Sequence, residues 1–239
     1  MDFISEFLTT HFWVAVGQIA VIDILLGGDN AVVIALACRR LPRHQRTKGI
    51  VLGTGVAIVL RVILIFFAMA LLRVPLLKLG GAVLLLWIGV KLIAPTPEAD
   101  HKNISASEHL WAAVRTIAIA DLVMSLDNVI GIAAVAQQAG EQHEMVLVVF
   151  GLLLSVPIII FGSQLVLRLM DRFPIIILGG GMLLGWIAGG MTPSDPILQP
   201  HIPQTAAWHY GAAAAGALLV LLLGLLLRKR YRRQRPTPA

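Results

Sequence analysis

The stretch "DILLGGDNAVVIALA", residues 23–37, sets two aspartates, an asparagine and a Gly-Gly pair inside an otherwise apolar run. Apolar residues dominate on both sides, from Phe12 to Cys38. A spanning helix needs roughly 20 predominantly apolar residues, and this run is long enough. A charged side chain at the bilayer centre costs roughly 2.5–3.5 kcal/mol on insertion scales. Polar groups placed there must face a protein interior, take up a proton or meet a cation.

Comparable runs recur at about 50–72, 76–94, 111–137, 145–167, 174–190 and 207–227. The chain is 58% hydrophobic and 13% charged, about half the charged fraction of a soluble domain. These segments predict an all-α integral membrane protein with seven transmembrane helices. They use up most of residues 1–239 as a single membrane domain and leave no sizeable soluble one. The N-terminus carries Asp2 and Glu6 and no nearby Lys or Arg, unlike the basic start of a cleaved signal, so the first segment is expected to stay as a helix.

The net charge of +6 is unevenly placed. Arg39, Arg40, Arg43, Arg46 and Lys48 follow the first segment, and Arg228, Lys229, Arg230, Arg232, Arg233 and Arg235 form a basic tail over 228–239. Lys91, Lys102, Arg115, Arg168 and Arg172 fall on the same side if the N-terminus is outside and the C-terminus cytoplasmic. Arg73 and Lys78 fall opposite, and Arg61 lies within the second segment. This is the positive-inside pattern. It argues for a lipid bilayer, with anionic head groups at the tail, and against nucleic acid as the partner. It leaves oligomeric state open.

Two longer loops, 95–110 and 191–206, read as linkers at the membrane surface. His101, His109, His201 and His209 lie in or beside them without metal-ligand spacing. The single cysteine, Cys38, excludes an internal disulfide and reads as a small apolar residue at a helix end.

An internal repeat organises the rest. "IDILLGGDNAVVIA" (22–35) aligns without gaps on "ADLVMSLDNVIGIA" (120–133), pairing Asp23 with Asp121, Asp29 with Asp127 and Asn30 with Asn128 at an offset of 98. Gly53 matches Gly151 at that offset, and after one extra residue "LGGAVLLLWIG" (79–89) aligns with "LGGGMLLGWIA" (178–188). Repeat one covers about 11–94 and repeat two about 111–190, with an added helix at about 207–228. Each copy holds three helices, so the second enters the membrane from the opposite face. Inverted repeats of this kind are typical of secondary transporters with a site near the midplane.

The four aspartates set the chemistry. All charged and facing lipid, they would cost about 10–14 kcal/mol. Arg61 is the internal counter-charge and neutralises one carboxylate at most, so the surplus invites a cation. Asp23 and Asn30 are seven apart, as are Asp121 and Asn128, so each pair shares a helix face. Gly27 and Gly28 weaken the helix before Asp29; a break there turns Asp29 inward and frees backbone carbonyls. The second copy has Ser125-Leu126 instead and is expected to be more regular, with Ser125 four residues after Asp121 as a further oxygen. Asp23, Asp29, Asn30, Asp121, Asp127 and Asn128 form a hard-oxygen ligand set suited to Mg²⁺, Ca²⁺ or Mn²⁺. No His or Cys lies beside them, against a dedicated zinc or copper site. Met124 reads as packing. Gln18 and Thr116 occupy matching positions before the motif and read equally as packing hydrogen bonds or as ligands. Arg61 reads as a structural or gating partner of an aspartate.

The duplicated motifs resemble those of the TerC family of bacterial integral membrane proteins, over nearly all of residues 10–230. The resemblance implies an inner-membrane protein of the shorter, seven-helix kind, with Asp23, Asp29, Asp121 and Asp127 as the intramembrane aspartates. Several members are linked to Mn²⁺ export and others to tellurium resistance. The expectation is therefore a divalent cation transporter, with Mn²⁺ the leading ion and carried as substrate. No resident cofactor and no enzymatic activity are expected. The alternatives are a Ca²⁺ or other divalent-cation transporter, or a non-transporting component of a metal-stress complex. An intramembrane aspartyl protease is disfavoured, because Leu26 stands where a Gly-x-Gly-Asp pattern needs glycine.

Overall fold

The computed structural model describes residues 10–71, 76–94, 106–138 and 144–234. Among them the elements are α1 Thr10–Gly27, α2 Asn30–Cys38, α3 Arg43–Leu71, α4 Leu77–Ile93, α5 Ala106–Gln138, α6 Glu144–Arg172, α7 Ile175–Met191 and α8 Ala206–Gln234, with a 3-10 turn at Thr192–Ser194. No strand occurs among the described residues. Five helices are long and apolar enough to cross a bilayer, and α1 with α2 makes a sixth if that bent pair is one span. At 17 residues, α4 sits at the lower limit for spanning.

The burial pattern is that of a protein dissolved in acyl chains. Leu25, Phe66, Phe161 and Ile175 are more than half exposed, whereas Asp23, Asn30, Thr54, Arg61, Asp121, Ser125, Ser155 and Ser163 are buried. In water, so much exposed apolar surface would drive association. In a bilayer it is the solvated face, and the polar groups are the ones that need shelter.

Inside the bundle, α3 packs along α5, α1 along α6, and α7 between α4 and α8. Small residues set the closest approaches. A Cβ added at Gly185 would lie 2.4 Å from the Gly216 carbonyl oxygen, and one at Gly189 would lie 2.1 Å from that of Ala212. The α7 and α8 backbones are therefore in direct contact, as small-residue spacing on membrane helices permits.

Two sets of contacts mark the ends of the bundle. At one end, Arg46 on α3 pairs with Asp171 on α6 at 2.5 Å, and Arg40 donates to the Lys91 and Ala94 carbonyls at 2.7 and 2.6 Å. The second contact satisfies carbonyls that the C-terminus of α4 leaves open. At the other end, the Asp195 carboxylate accepts N–H bonds from Leu76 at 3.2 Å, Leu79 at 3.1 Å and Ile197 at 3.0 Å. Leu76 there has a φ of 65°, a left-handed conformation that leucine rarely adopts. The described part of the 191–206 loop is thus more than a surface linker. Its aspartate is fully buried and caps a helix more than a hundred residues earlier in the chain. The stretch 95–105, with His101 and Lys102, and Arg73 lie outside the described residues.

Candidate metal site

The site begins at a break. Gly27 and Gly28 are poor helix formers, each about 1 kcal/mol worse than alanine, and consecutive glycines are a recognised cause of sharp kinks. α1 ends at Gly27, α2 starts at Asn30, and the two axes differ by 59°. The new helix starts where the Asp29 backbone carbonyl accepts the Val32 and Val33 N–H groups. The second copy, with Ser125-Leu126 at this place, continues unbroken through α5, as expected.

Next to the break, one guanidinium holds two carboxylates. Arg61 on α3 donates through Nη1 to Asp23 Oδ1 on α1, and through Nη2 to Asp121 Oδ1 on α5 at 2.5 Å. Its Nε donates to Ser125 Oγ at 3.0 Å, and that hydroxyl donates to Asp121 Oδ2 at 3.2 Å. Ser155 on α6 donates to Asp23 Oδ2 at 2.5 Å. Four helices are tied through one buried cation, whose side chain is 3% exposed. Removing one member of such a buried pair typically costs about 3–5 kcal/mol, because the partner keeps an uncompensated charge. Pro157, two residues beyond Ser155, removes a helical hydrogen bond from α6 at the same level.

The Asn30 amide lies beside this clamp. A Cβ at Gly27 would lie 2.9 Å from Asn30 Nδ2, 3.5 Å from Arg61 Nη1 and 3.7 Å from Asp23 Oδ1. Glycine at 27 therefore does two things: it loosens the helix and makes room for the three polar groups. Asn30 Nδ2, Asn30 Oδ1 and Asp29 Oδ1 are buried without a hydrogen-bond partner. Buried polar atoms are almost always paired, so this cluster at the break is an unmet demand. Asp29 also lies within electrostatic reach of Arg61 and Asp121.

The six ligands expected from sequence do not converge on one point among the described side chains. Asp23 and Asp121 come together, but onto Arg61. Asp29 and Asn30 flank them with free oxygens. Asn128 donates to the Leu26 carbonyl at 3.2 Å, closing a backbone group at the end of α1. Asp127 lies on α5, and its side chain is outside the described residues. No group of three or more His, Cys, Asp or Glu side chains able to hold a metal occurs among the described residues. Two of the carboxylates, Asp23 and Asp121, are instead engaged by the Arg61 guanidinium.

The supporting residues divide. Ser125 is in the clamp, and Gly27 and Gly28 form the break. Gln18 is exposed, and Thr116 donates to the Ala112 carbonyl of its own helix at 2.9 Å, so neither reaches the site. Each lies five residues before its aspartate, well round a regular helix. Arg61 contacts two carboxylates, where one had been expected. Ser155 was missed; its signal is a lone hydroxyl four residues after Gly151, the glycine that matches Gly53.

Comparison with known proteins agrees with this architecture. No solved structure matches the chain. The uncharacterized membrane protein YjbE of Bacillus subtilis is 45% identical over 184 residues, 77% of this chain and 81% of YjbE. YceF of the same organism, also an uncharacterized membrane protein, is 30% identical over 219 residues, 81% of this chain and 83% of YceF. The UPF0053 inner membrane protein YoaE of Escherichia coli K12 is 24% identical over 195 residues, 74% of this chain but 36% of YoaE. The integral membrane protein TerC family matches residues 8–235, nearly the whole chain. The chain belongs to the TerC family of integral membrane proteins.

Proposed function

We propose that this protein moves a divalent cation across the bacterial inner membrane by alternating access, with Mn²⁺ as the leading substrate and export as its direction. The reading rests most on the broken helix, where buried Asp29 and Asn30 oxygens without partners adjoin a clamp of two further carboxylates. Broken helices that present carboxylate, amide and backbone oxygens are what transporters use to bind ions near the midplane. Oxygen-only donors favour hard divalent cations over zinc or copper. Membership of the TerC family supports metal transport in general.

The mechanism takes residues 11–94 and 111–190 as inverted repeats, with α1 and α2 as one broken span and α4 as a short one, seven spans in all. Reciprocal packing supports this. A Cβ at Gly53 on α3 would meet Ile117 Cδ1 on α5 at 2.4 Å. At their counterparts 98 positions away, a Cβ at Gly151 on α6 would meet Ile19 Cγ2 on α1, also at 2.4 Å. Equivalent residues thus make equivalent contacts across the two copies. The basic residues at the Arg46–Asp171 end support a cytoplasmic C-terminus and an external N-terminus. Rocking of one repeat against the other would expose the break to either side in turn.

The test is flux into proteoliposomes, with Mn²⁺, Ca²⁺, Mg²⁺ and Zn²⁺ compared under a pH gradient. Mn²⁺ entry above protein-free vesicles supports the reading, and Ca²⁺ flux without Mn²⁺ flux reassigns the ion. The Arg61 clamp also favours a second reading, in which the aspartates only hold helices together; absence of flux for all four ions would leave that one standing.

A further inference from the structure

We propose that Arg61 is a tethered counter-cation, which fills the Asp23–Asp121 clamp while the site is empty and gives way when a divalent cation binds at the break. This deepens the transport reading and rests on it.

The clamp is duplicated but its cation is not. Asp23 and Asp121 are repeat counterparts, yet the position matching Arg61 in the second copy is Ile159, which is buried and apolar. One positive group thus serves both halves and draws both aspartates to itself. With all three groups ionised, the guanidinium balances only one of the two carboxylates and the clamp keeps a surplus negative charge.

The placement of the unpaired groups fits competition. Arg61 Nη1 and the Asn30 amide lie within 3.5 Å of the same point beside Gly27. A metal held by the Asp29 and Asn30 oxygens would sit close to the guanidinium and be repelled by it, while attracting the same two carboxylates. Asp23, Asp29, Asp121 and Arg61 sum to −2 when ionised, the charge one divalent cation balances; Asp127 would add another negative charge. Binding therefore favours carboxylate movement from guanidinium to metal. Because Arg61, Asp23, Asp121 and Ser155 lie on α3, α1, α5 and α6, that exchange loosens contacts between four helices at once. Occupancy is thereby coupled to bundle rearrangement, and Arg61 in returning helps to expel the ion.

The test is Mn²⁺ binding to purified protein in nanodiscs, read by the electron paramagnetic resonance of free Mn²⁺, alongside flux per inserted protein. Arg61→Gln should bind Mn²⁺ about ten-fold tighter or more, within the usual range of coupling between sites, and transport more slowly. Arg61→Lys, which keeps the charge, should bind near the unmodified affinity. Should Arg61→Gln fail to fold, Asp121→Asn is compared with the double variant Arg61→Gln/Asp121→Asn. The double variant should bind tighter than the single one, since the competitor is gone. Unchanged or weaker binding in folded Arg61→Gln, or a double variant no tighter than Asp121→Asn, overturns the counter-cation. If the unmodified protein binds no divalent cation, the transport reading fails, and the inference with it.

Discussion

Asp195 offers a sharp test of how the fold is held at the end of the bundle that carries the 191–206 loop. Its Oδ1 accepts N–H bonds from Leu76 and Ile197, and its Oδ2 accepts one from Leu79. Solvent does not reach the side chain, but few atoms lie beyond the backbone that covers it. Hydrogen bonds to a charged group contribute about 1.5–3 kcal/mol each when well buried; under so thin a cover, about 1 kcal/mol each is the better figure. Asp195→Ala should then destabilise by about 3 kcal/mol, or about 6–12 °C in Tm for a chain of this size. Asp195→Asn keeps an acceptor for two of the bonds but turns an amide N–H₂ towards the Leu79 N–H, a loss of about 1–2 kcal/mol. The pH dependence has a definite sign. Desolvation is the largest single influence and raises the carboxyl pKa, but N–H bonds from Ile197, Leu79, Leu76 and Lys78 together outweigh it and hold the group below its ordinary value. Its contribution is therefore fully present above the unfolded value of about 4 and is lost as pH falls through the lower folded value. Thermal unfolding in detergent, followed by circular dichroism, should give a constant gap between unmodified protein and Asp195→Ala from about pH 5 to 8, narrowing below about pH 4. A gap under about 1 °C at neutral pH would refute the capping role.

Three further outcomes follow from the geometry. Gly185→Leu must push α7 off the Gly216 carbonyl of α8, so its yield of folded protein on size-exclusion chromatography should collapse, whereas Gly55→Ala, with nothing within 4 Å, should elute normally. Asp171→Asn weakens a partly exposed pair with Arg46 while leaving the Arg46 bonds to the Leu41 and Arg39 carbonyls in place, and should shift stability by less than about 1 kcal/mol, measured by the same melts. A cysteine at exposed Gln199 should react with an impermeant reagent from outside the cell, and a reporter fused after Ala239 should report cytoplasm; labelling of 199 only after permeabilisation would invert the topology.

Much of this architecture was legible in the sequence because bilayers impose long apolar segments and local chemistry sets their breaks. Gly27-Gly28 before Asp29 foretold the kink, and Ser125-Leu126 foretold the continuous α5. The duplicated Asp-Asn motifs placed Asp23 and Asp121 in a common interior. What escaped were pairings set by helix register. Whether Arg61 meets one carboxylate or two depends on how α3 slides against α1 and α5, which no local pattern encodes. Asp195 sits in a proline-rich loop and bonds backbone groups 116 to 119 residues away; its charge was visible and its partners were not. Gln18 and Thr116 are a different case. Their spacing of five from the aspartates already turned them away from the site, and repeat symmetry outweighed periodicity where periodicity was the better guide.

The central claim, that the broken helix is where the ion binds, is tested most directly at Asp29. Asp29→Asn keeps the size and most of the hydrogen bonding while removing the charge that a divalent cation needs, and Asp29 lies outside the Arg61 clamp, so the helix ties should survive. The measurement is Mn²⁺ flux in proteoliposomes, normalised to correctly inserted protein, for the unmodified chain, Asp29→Asn and its repeat counterpart Asp127→Asn. Loss of flux in both variants, with folding intact, is the predicted result. Transport by both at the unmodified rate would contradict the account and leave these aspartates as structural groups.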